Sequence, residues 1–275
     1  MNADDFGRHE LINRAVEIAV NSGCVRSATL MAGGVAFDDA VMRAGRLPRL
    51  GVGIHFTLAN GNPILPPEKI PSLVTEEGFF HADYVVFLKR YLRGKISLDE
   101  VRAELAAQLE KILRTGLTLT HVDSHQHLHH IPGIIEIVLG LMSAAKISAM
   151  RVADAKLFDG ELNSVGKFIG RLGLSSLAKV VARKAHRENF VTPEHFAGIV
   201  AGESVTENFM LKLVAALPEG TTEVMLHPGT DNGILRGFCD WAHDFEAELS
   251  AVTSPKVCAA IDSRNIAAIN FAALR

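Results

Sequence analysis

The stretch that decides the fold is residues 97–123, SLDEVRAELAAQLEKILRTGLTLTHVD. Apolar residues recur at helical spacing over Leu98–Arg114, and after a glycine the pattern changes to a short strand, Leu117–Asp123. Ser97, with Glu100 three residues later, predicts a capping box at the start of this helix. The stretch therefore predicts a helix that leads directly into a strand, which is the repeating unit of α/β proteins.

The same alternation continues in both directions along the chain. Short aliphatic or β-branched runs predict further strands at Val25–Ala32, Leu50–Leu58, Ala149–Ala153, Glu223–His227 and Ile266–Phe271. Amphipathic segments predict further helices at Glu10–Asn21, Asp38–Arg46, Pro132–Ala145, Glu207–Leu217 and Asp240–Val252. Strands separated by helices favour a parallel sheet, either open or closed into a barrel, and periodicity does not choose between the two.

Two segments interrupt this rhythm. Residues 59–80 carry four prolines and predict a long ordered loop. Residues 154–205 contain a basic stretch that predicts a helical insertion over one mouth of the sheet. Its basic side chains form either a solvated helix face or a contact with an anionic headgroup or lipid surface. They are Lys167, Arg171, Lys179, Arg183, Lys184 and Arg187.

Composition limits the class of protein. The chain has 275 residues, which fits one α/β barrel domain, and 48% of them are hydrophobic, which excludes a disordered chain. Its net charge of −3 provides no basic field for nucleic acid. It has no uninterrupted apolar run of membrane-spanning length. The polar, acidic first residues and three scattered cysteines predict a cytoplasmic protein.

The segment NADDFG at residues 2–7 holds the first candidate site residues. A turn of this composition is expected to follow a strand, and only Met1 precedes it, so we expect a first strand that is largely missing. Asp4 and Asp5 would point to opposite sides of the backbone, so one can bind a hard cation while the other acts as a base. The alternative is a helix N-cap.

Histidines supply the other candidates. His55 lies near the end of the strand GVGIHFTL, where it is either a site residue or a hydrogen-bonded core histidine. The segment HVDSHQHLHH at 121–130 places His121, Asp123 and His125 on one face of an extended chain. Imidazoles with a nearby carboxylate are typical of a metal site, whereas a surface histidine patch is the alternative. His129 and His130 are the least expected to bind an ion.

Two more residues follow predicted strands. His227, in EVMLHPG, is a candidate general acid because its ordinary pKa lies near neutrality. Arg151 can orient a carboxylate or bind a substrate oxygen, or it can pair with Asp154 or another acid. Carboxylates and histidines thus gather at one end of at least four predicted strands, where parallel barrels build their sites. Such a mixed set fits Zn²⁺, Mn²⁺ or Mg²⁺.

At these residues the chain resembles the YdjC-like carbohydrate deacetylase family, which includes chitooligosaccharide deacetylases. The matching segments are NADDFG at 2–7, GVGIHFTL at 51–58, THVDSHQHLH at 120–129 and EVMLHPG at 223–229. The segment GNPILPPEKIPSLV is similar to the branch associated with hopanoid biosynthesis clusters. The resemblance implies an irregular (β/α) barrel, similar to a TIM barrel, that removes the acetyl group from N-acetylated sugars with a divalent cation, by family resemblance Mg²⁺.

By motif position, the resemblance implies that Asp5, His55 and His125 hold the metal. It makes Asp4 the general base and His227 the general acid. Asp123 and His127 would support the ligands or line the pocket, with Arg151 as a further residue of this kind.

The expected chemistry is amide hydrolysis of an acetylated oligosaccharide or glycolipid. A metal-dependent sugar isomerase or epimerase and a catalytically inactive sugar-binding relative remain as alternatives. No nucleic-acid partner is expected, a peripheral membrane contact and a homodimer stay open, and the sequence does not identify the sugar.

Overall fold

The computed structural model describes the backbone of residues 1–154, 165–199 and 204–274, and the side chains of the same residues except 165–172. The described strands are β1 Asn2–Phe6, β2 Ser27–Leu30, β3 Gly51–Phe56, β4 Leu119–Ser124, β5 His195–Ala197 and β6 Thr222–Leu226. They form one parallel sheet in the order β4-β3-β2-β1-β6-β5. One-residue bridges, Val122 with Met150 and Ala149 with Val191, continue the sheet beyond β4.

Ten helices are described around this curled sheet. Those in the first half are α1 Glu10–Ser22, α2 Phe37–Ala44, α3 Tyr84–Leu92, α4 Leu98–Leu113 and α5 Ile134–Ala145. Those in the second half are α6 Val165–Arg187, α7 Glu207–Ala216, α8 Asn232–Cys239, α9 Phe245–Thr253 and α10 Pro255–Ser263. The fold is therefore an α/β half-barrel with helices flanking a parallel sheet, as the alternation of elements predicts. No helix in the described part of the chain combines the length and apolar character needed to cross a membrane.

The first strand differs from the prediction. NADDF does not follow a strand but is itself β1, and it lies in the middle of the sheet, hydrogen-bonded to β2 and β6. All five of its residues are buried. The composition of these residues is typical of a polar turn. They form a strand because their side chains make ion pairs and hydrogen bonds inside the sheet. The expectation of a first strand that is largely missing is therefore wrong.

Three other predicted elements are also wrong. Ile266–Phe271 is not a strand, because Asn265 has a positive φ of 53° and Asn270 caps a 3₁₀ turn at Phe271–Ala273. Ala149–Ala153 forms only the bridges at its first two residues. The helix predicted at Asp240–Val252 begins only at Phe245, because Asp240 adopts a left-handed conformation that ends α8 and residues 241–244 are not helical.

The capping box is half formed. Ser97 accepts the Glu100 N–H, but the Glu100 carboxylate turns away and accepts the N–H of Ser72 in the 59–80 loop. That loop contains a 3₁₀ turn at Pro67–Lys69 and an antiparallel bridge between Val74 and Phe80, so it is ordered as expected.

The segment 154–205, which is predicted as a helical insertion, contains α6 and also β5, a strand of the main sheet. Its residues 155–164 and 200–203 lie outside the described part. Among the basic side chains singled out there, Lys179, Arg183 and Arg187 are exposed and Lys184 pairs with Glu136. The side chains of Lys167 and Arg171 lie outside the described residues.

Candidate active site

The candidate site residues meet at the carboxyl ends of four parallel strands. Asp4 and Asp5 end β1, His55 ends β3, Asp123 ends β4, and His227 follows β6 directly. His125 starts the 3₁₀ turn that follows β4. In parallel α/β sheets this edge is where ligands bind, because the strand ends and their loops converge there.

Asp5, His55 and His125 form the innermost group. One ligand atom from each lies within 4.8 Å of the others, and all three residues are buried. Asp5 Oδ1 is 3.0 Å from His125 Nδ1 and 3.4 Å from His55 Nε2. Although they are buried, Asp5 Oδ1 and His55 Nε2 have no hydrogen-bond partner among the residues that the structure describes. Burying two polar atoms without hydrogen-bond partners costs free energy, and a cation bound between them would satisfy both.

The backbone at Asp5 sets up this group. Its φ is +62°, in the left-handed region, and the register between β1 and β2 shifts between Ala3 and Phe6. In a regular strand Asp4 and Asp5 would point to opposite faces. The irregular turn instead lets both carboxylates reach the same end of the sheet, and aspartate tolerates this conformation better than most residues.

Asp123 orients the first histidine. Its Oδ1 accepts a hydrogen bond from His55 Nδ1 at 2.6 Å, which leaves the lone pair of His55 on Nε2, the atom that faces Asp5. Burial alone lowers the pKa of His55, but the charge of Asp123 raises it to about 10. A cation at Nε2 therefore has to replace a proton.

The other pKa shifts in this group follow from burial and charge. Burial opposes ionisation of Asp5, but the charges of His125 and Arg8 hold the pKa of its carboxyl well below the ordinary value. Arg8 donates to Asp5 Oδ2 at 2.8 Å. Burial lowers the pKa of His125, although Asp5 partly offsets it. A carboxylate beside a neutral imidazole is the protonation state that metal ligands require.

Arg151 holds the second carboxylate. Its guanidinium is fully buried and donates two hydrogen bonds to Asp4, at 2.6 and 2.7 Å. It also contacts Asp123 at 2.8 Å and Glu223 at 2.7 Å. The expected ion pair is formed with these other acids and not with Asp154, whose carboxylate accepts from Ser175. Arg151 thus orients carboxylates, one of the expected roles.

His227 lies beside Asp4 at the open side of the site. Its Nε2 is 4.0 Å from Asp4 Oδ2, and its side chain is 15% exposed, compared with 3% for Asp4. Burial lowers its pKa, and the charges of Asp4 and Asp5 oppose that shift. Its accessible ring can therefore contact a substrate that does not reach the buried carboxylate.

The remaining histidines of the 121–130 cluster are outside the innermost group. His121 stacks on Phe271 with ring centroids 3.7 Å apart, and burial lowers its pKa to about 3. A side chain at position 53 would overlap the His121 ring, so only glycine fits at Gly53. The two ring nitrogens of His129 form hydrogen bonds with the Ser124 hydroxyl and the Arg151 carbonyl, which indicates a structural role.

His127 lies near the site without joining the metal-like group. It has a left-handed φ of +57°, and its ring is 6.0 Å from that of Phe196. Burial lowers its pKa well below the ordinary value, and its Nδ1 has no hydrogen-bond partner. It is not part of the group that could share an ion with His125, and its role in lining a substrate pocket stays a prediction.

Sequence reasoning missed a group that supports His227. Glu248 accepts the backbone N–H groups of His227 and Val205 and pairs with His243 at 3.1 Å. Trp241 stacks on His243 at 3.9 Å and meets the His227 ring edge-on at 5.0 Å. Trp241 and His243 lie in non-helical residues before α9, within a segment predicted as helix, and Glu248 lies on α9 itself, so periodicity gave no signal for these contacts.

Comparison with known proteins shows the family to which this chain belongs. The model of the YdjC-like protein family matches residues 1–263. The chain belongs to this family. A carbohydrate deacetylase of Geobacillus stearothermophilus is 30% identical over 98% of this chain and 95% of its own length. A chitooligosaccharide deacetylase of Enterobacter is also 30% identical, over 96% and 94% of the two chains.

A solved structure agrees with the fold of this YdjC-like chain. It is a protein of Enterococcus faecalis V583, provisionally described as a cellobiose-phosphate cleavage protein. The two chains share 26% identity with a TM-score of 0.76, over 98% of this chain and 95% of the other. The half-barrel described above is therefore found in an experimentally determined relative.

Proposed function

We propose that this YdjC-like protein is a metal-dependent hydrolase that removes the acetyl group from an N-acetylated sugar. The observation that carries the proposal is the buried group of Asp5, His55 and His125, with two unpartnered atoms facing each other. The names of the curated relatives support a carbohydrate amide as the substrate class. An N-acetylglucosamine unit, in an oligosaccharide or a glycolipid, is the expected form.

The donor atoms fit a divalent cation. One carboxylate oxygen and two imidazole nitrogens suit Zn²⁺ or Mn²⁺, and the family resemblance implies Mg²⁺. Asp5, His55 and His125 would hold the ion, and it would supply polarisation of the acetyl carbonyl and a lowered pKa of the attacking water. Asp123 holds the His55 ring in the tautomer that this role requires.

Asp4 is the proposed general base. Its Oδ1 already accepts from Arg151 and Asn2, whereas Oδ2 accepts only from Arg151 among its hydrogen bonds. A carboxylate oxygen has two lone pairs, so Oδ2 retains one that can take the proton of the attacking water. Arg151 keeps this oxygen at a fixed place, and proton transfer depends on such positioning.

His227 is the proposed general acid. Its Nε2 lies 4.0 Å from the same Asp4 oxygen and on the more open side of the site. A proton on Nε2 can pass to the leaving amine nitrogen while Asp4 holds the proton taken from water. The charges of Asp4 and Asp5 favour the protonated imidazole that this step consumes.

The proposal is tested by acetate release from di-N-acetylchitobiose. The enzyme is stripped with a chelator and then supplied separately with Mg²⁺, Zn²⁺ or Mn²⁺. Asp4→Asn and His125→Ala should each lower the rate by about a hundredfold or more with the fold retained. His186→Ala, at an exposed position of α6, is the matched control and should retain full activity. Near-full turnover in Asp4→Asn or His125→Ala, or no acetate with any of the three ions, would contradict the assignment.

A further inference from the structure

Helix α3 and the residues around it expose an unusual share of the apolar surface. The described part of the chain has fourteen large exposed hydrophobic side chains, and seven of them lie within residues 79–98. They are Phe79, Tyr84, Val85, Val86, Leu88, Leu92 and Leu98, and Leu92 is 74% exposed. Single exposed apolar residues need no explanation, but a cluster of this kind marks an interaction surface.

The exposed residues of α3 form an ordered face. Tyr84, Leu88 and Leu92 are four residues apart and therefore make one stripe along the helix. Only Phe87 among the nine residues of α3 is buried, so the helix attaches to the protein by a narrow contact. An amphipathic helix that presents its wide apolar face outward is typical of helices that lie in a membrane interface.

The same helix carries a local positive charge. Residues 84–95, YVVFLKRYLRGK, contain Lys89, Arg90, Arg93 and Lys95 and no acidic residue. The whole chain has a net charge of −3, so the charge of this segment is opposite in sign to that of the whole chain. Basic residues beside exposed apolar side chains match the two components of an anionic lipid surface, its headgroups and its acyl region.

Hydrogen bonds attach the start of α3 to the candidate site. The N–H of Tyr84 donates to Gln126 Oε1 at 2.6 Å, and Gln126 follows His125 in the chain. The carbonyl of His81 accepts from Asn60 N, and the Asn60 side chain accepts from Arg8, the residue that pairs with Asp5. The apolar helix therefore stands at the rim of the site rather than on a remote face.

We propose that α3, with Phe79, is a docking surface for an anionic lipid bilayer and holds the mouth of the site against it. A second copy of the chain is a poorer occupant, because a two-fold contact through α3 would bring the four positive charges of each copy together.

Vesicle binding tests the surface independently of catalysis. The full chain is sedimented with vesicles of an equal mixture of phosphatidylglycerol and phosphatidylcholine, and with pure phosphatidylcholine vesicles. We expect binding to the anionic vesicles only, and weaker binding as salt is raised. The double variant Leu88→Ser/Leu92→Ser should bind about tenfold less, because two apolar contacts with the acyl region are lost. The reversal Lys89→Glu/Arg93→Glu should have a similar effect through charge.

Matched controls alter the same residue types elsewhere. Met42→Ser/Leu113→Ser changes two exposed apolar residues on α2 and α4, and Arg46→Glu/Lys212→Glu reverses two exposed basic residues. Both controls should bind anionic vesicles like the parent chain. Deacetylation of soluble di-N-acetylchitobiose should be unchanged in the α3 variants, which would show that they are folded. This assay also separates a failure of docking from a failure of the proposed chemistry.

The remaining outcomes overturn the proposal. Absence of vesicle binding, equal binding to neutral vesicles, or unchanged binding in both α3 variants would each do so. A dimer in sedimentation equilibrium that becomes a monomer in Leu88→Ser/Leu92→Ser would assign the surface to a second copy instead.

Discussion

At the scale of single residues, the main electrostatic feature is Arg151 inside the sheet. One guanidinium faces the carboxyl groups of Asp4, Asp123 and Glu223, and all four side chains are buried. His55 adds a second positive charge beside Asp123, so three ionised acids would leave one negative charge uncompensated, which a buried site resists. Burial raises the pKa of Glu223 to about 7 despite the charge of Arg151, and its outer Oε2 has no hydrogen-bond partner. Glu223 is therefore the acid that we expect to be partly protonated near neutral pH.

This protonation predicts how stability depends on pH. The pKa of Glu223 is raised from 4.5 to about 7 in the folded chain, so the folded state binds more protons than the unfolded state between these values. Stability should fall as pH rises through this window. Glu223→Gln keeps the oxygen that accepts from Arg151 but cannot ionise. From pH 5 to pH 8 we expect the parent to lose about 2 to 3 kcal/mol more than this variant. Urea unfolding at both values measures this, and parallel losses would contradict the assignment of the proton.

At the scale of elements, the segment after β6 depends on a contact from α9. Glu248 lies on α9 and accepts the N–H of His227 and of Val205, and it also pairs with His243. A buried carboxylate that accepts two backbone N–H donors and lies beside an imidazole is strongly held and fixes the groups that it binds. The position of the proposed acid is therefore set by a helix that begins eighteen residues further along the chain.

Glu248→Gln tests this contact. The amide retains one acceptor oxygen and adds an NH₂ group where a donor already points, so His227 should lose its fixed position. We expect kcat to fall about ten- to a hundredfold with KM nearly unchanged, because positioning of the acid matters mainly in the transition state. Glu246→Gln, on an exposed position of the same helix, should retain normal kinetics. Equal rates in the two variants would exclude a positioning role for Glu248.

At the scale of the whole molecule, the proposed cation links three separate parts of the chain. Asp5, His55 and His125 lie on β1, on β3 and after β4, so an ion bound to all three joins strands that the chain visits far apart. The unfolded chain has no such site, and binding to the folded state alone raises the free energy of unfolding.

Thermal unfolding with and without the cation measures this link. At a concentration about a hundred times Kd, the ion should add roughly 2.7 kcal/mol to the free energy of unfolding. His125→Ala should remove most of this gain, and His186→Ala should keep it. A gain of the same size in both variants would place the ion elsewhere on the protein.

The sequence predicts the alternating architecture and the candidate residues better than it predicts local geometry. Periodicity and strand ends are local signals, and they are sufficient to indicate Asp4, Asp5, His55, His125 and His227 as candidates. Side-chain partners come from distant parts of the chain. The sequence therefore does not decide which acid pairs with Arg151, and it does not indicate Glu248 at all. The strand at NADDF was missed because its polar residues are stabilised by partners on other strands, which outweigh their low strand propensity.

The left-handed backbone at Asp5 also limits how the protein could be re-engineered for another ion. A longer or β-branched donor placed there would have to adopt a positive φ, at a cost of roughly 1 to 3 kcal/mol, whereas His55 and His125 have no such restriction in the described backbone. Efforts to change metal preference should therefore begin at the two histidines. Among alternative donors at position 5, asparagine is the conservative choice, because it keeps both the oxygen and the tolerance for this conformation.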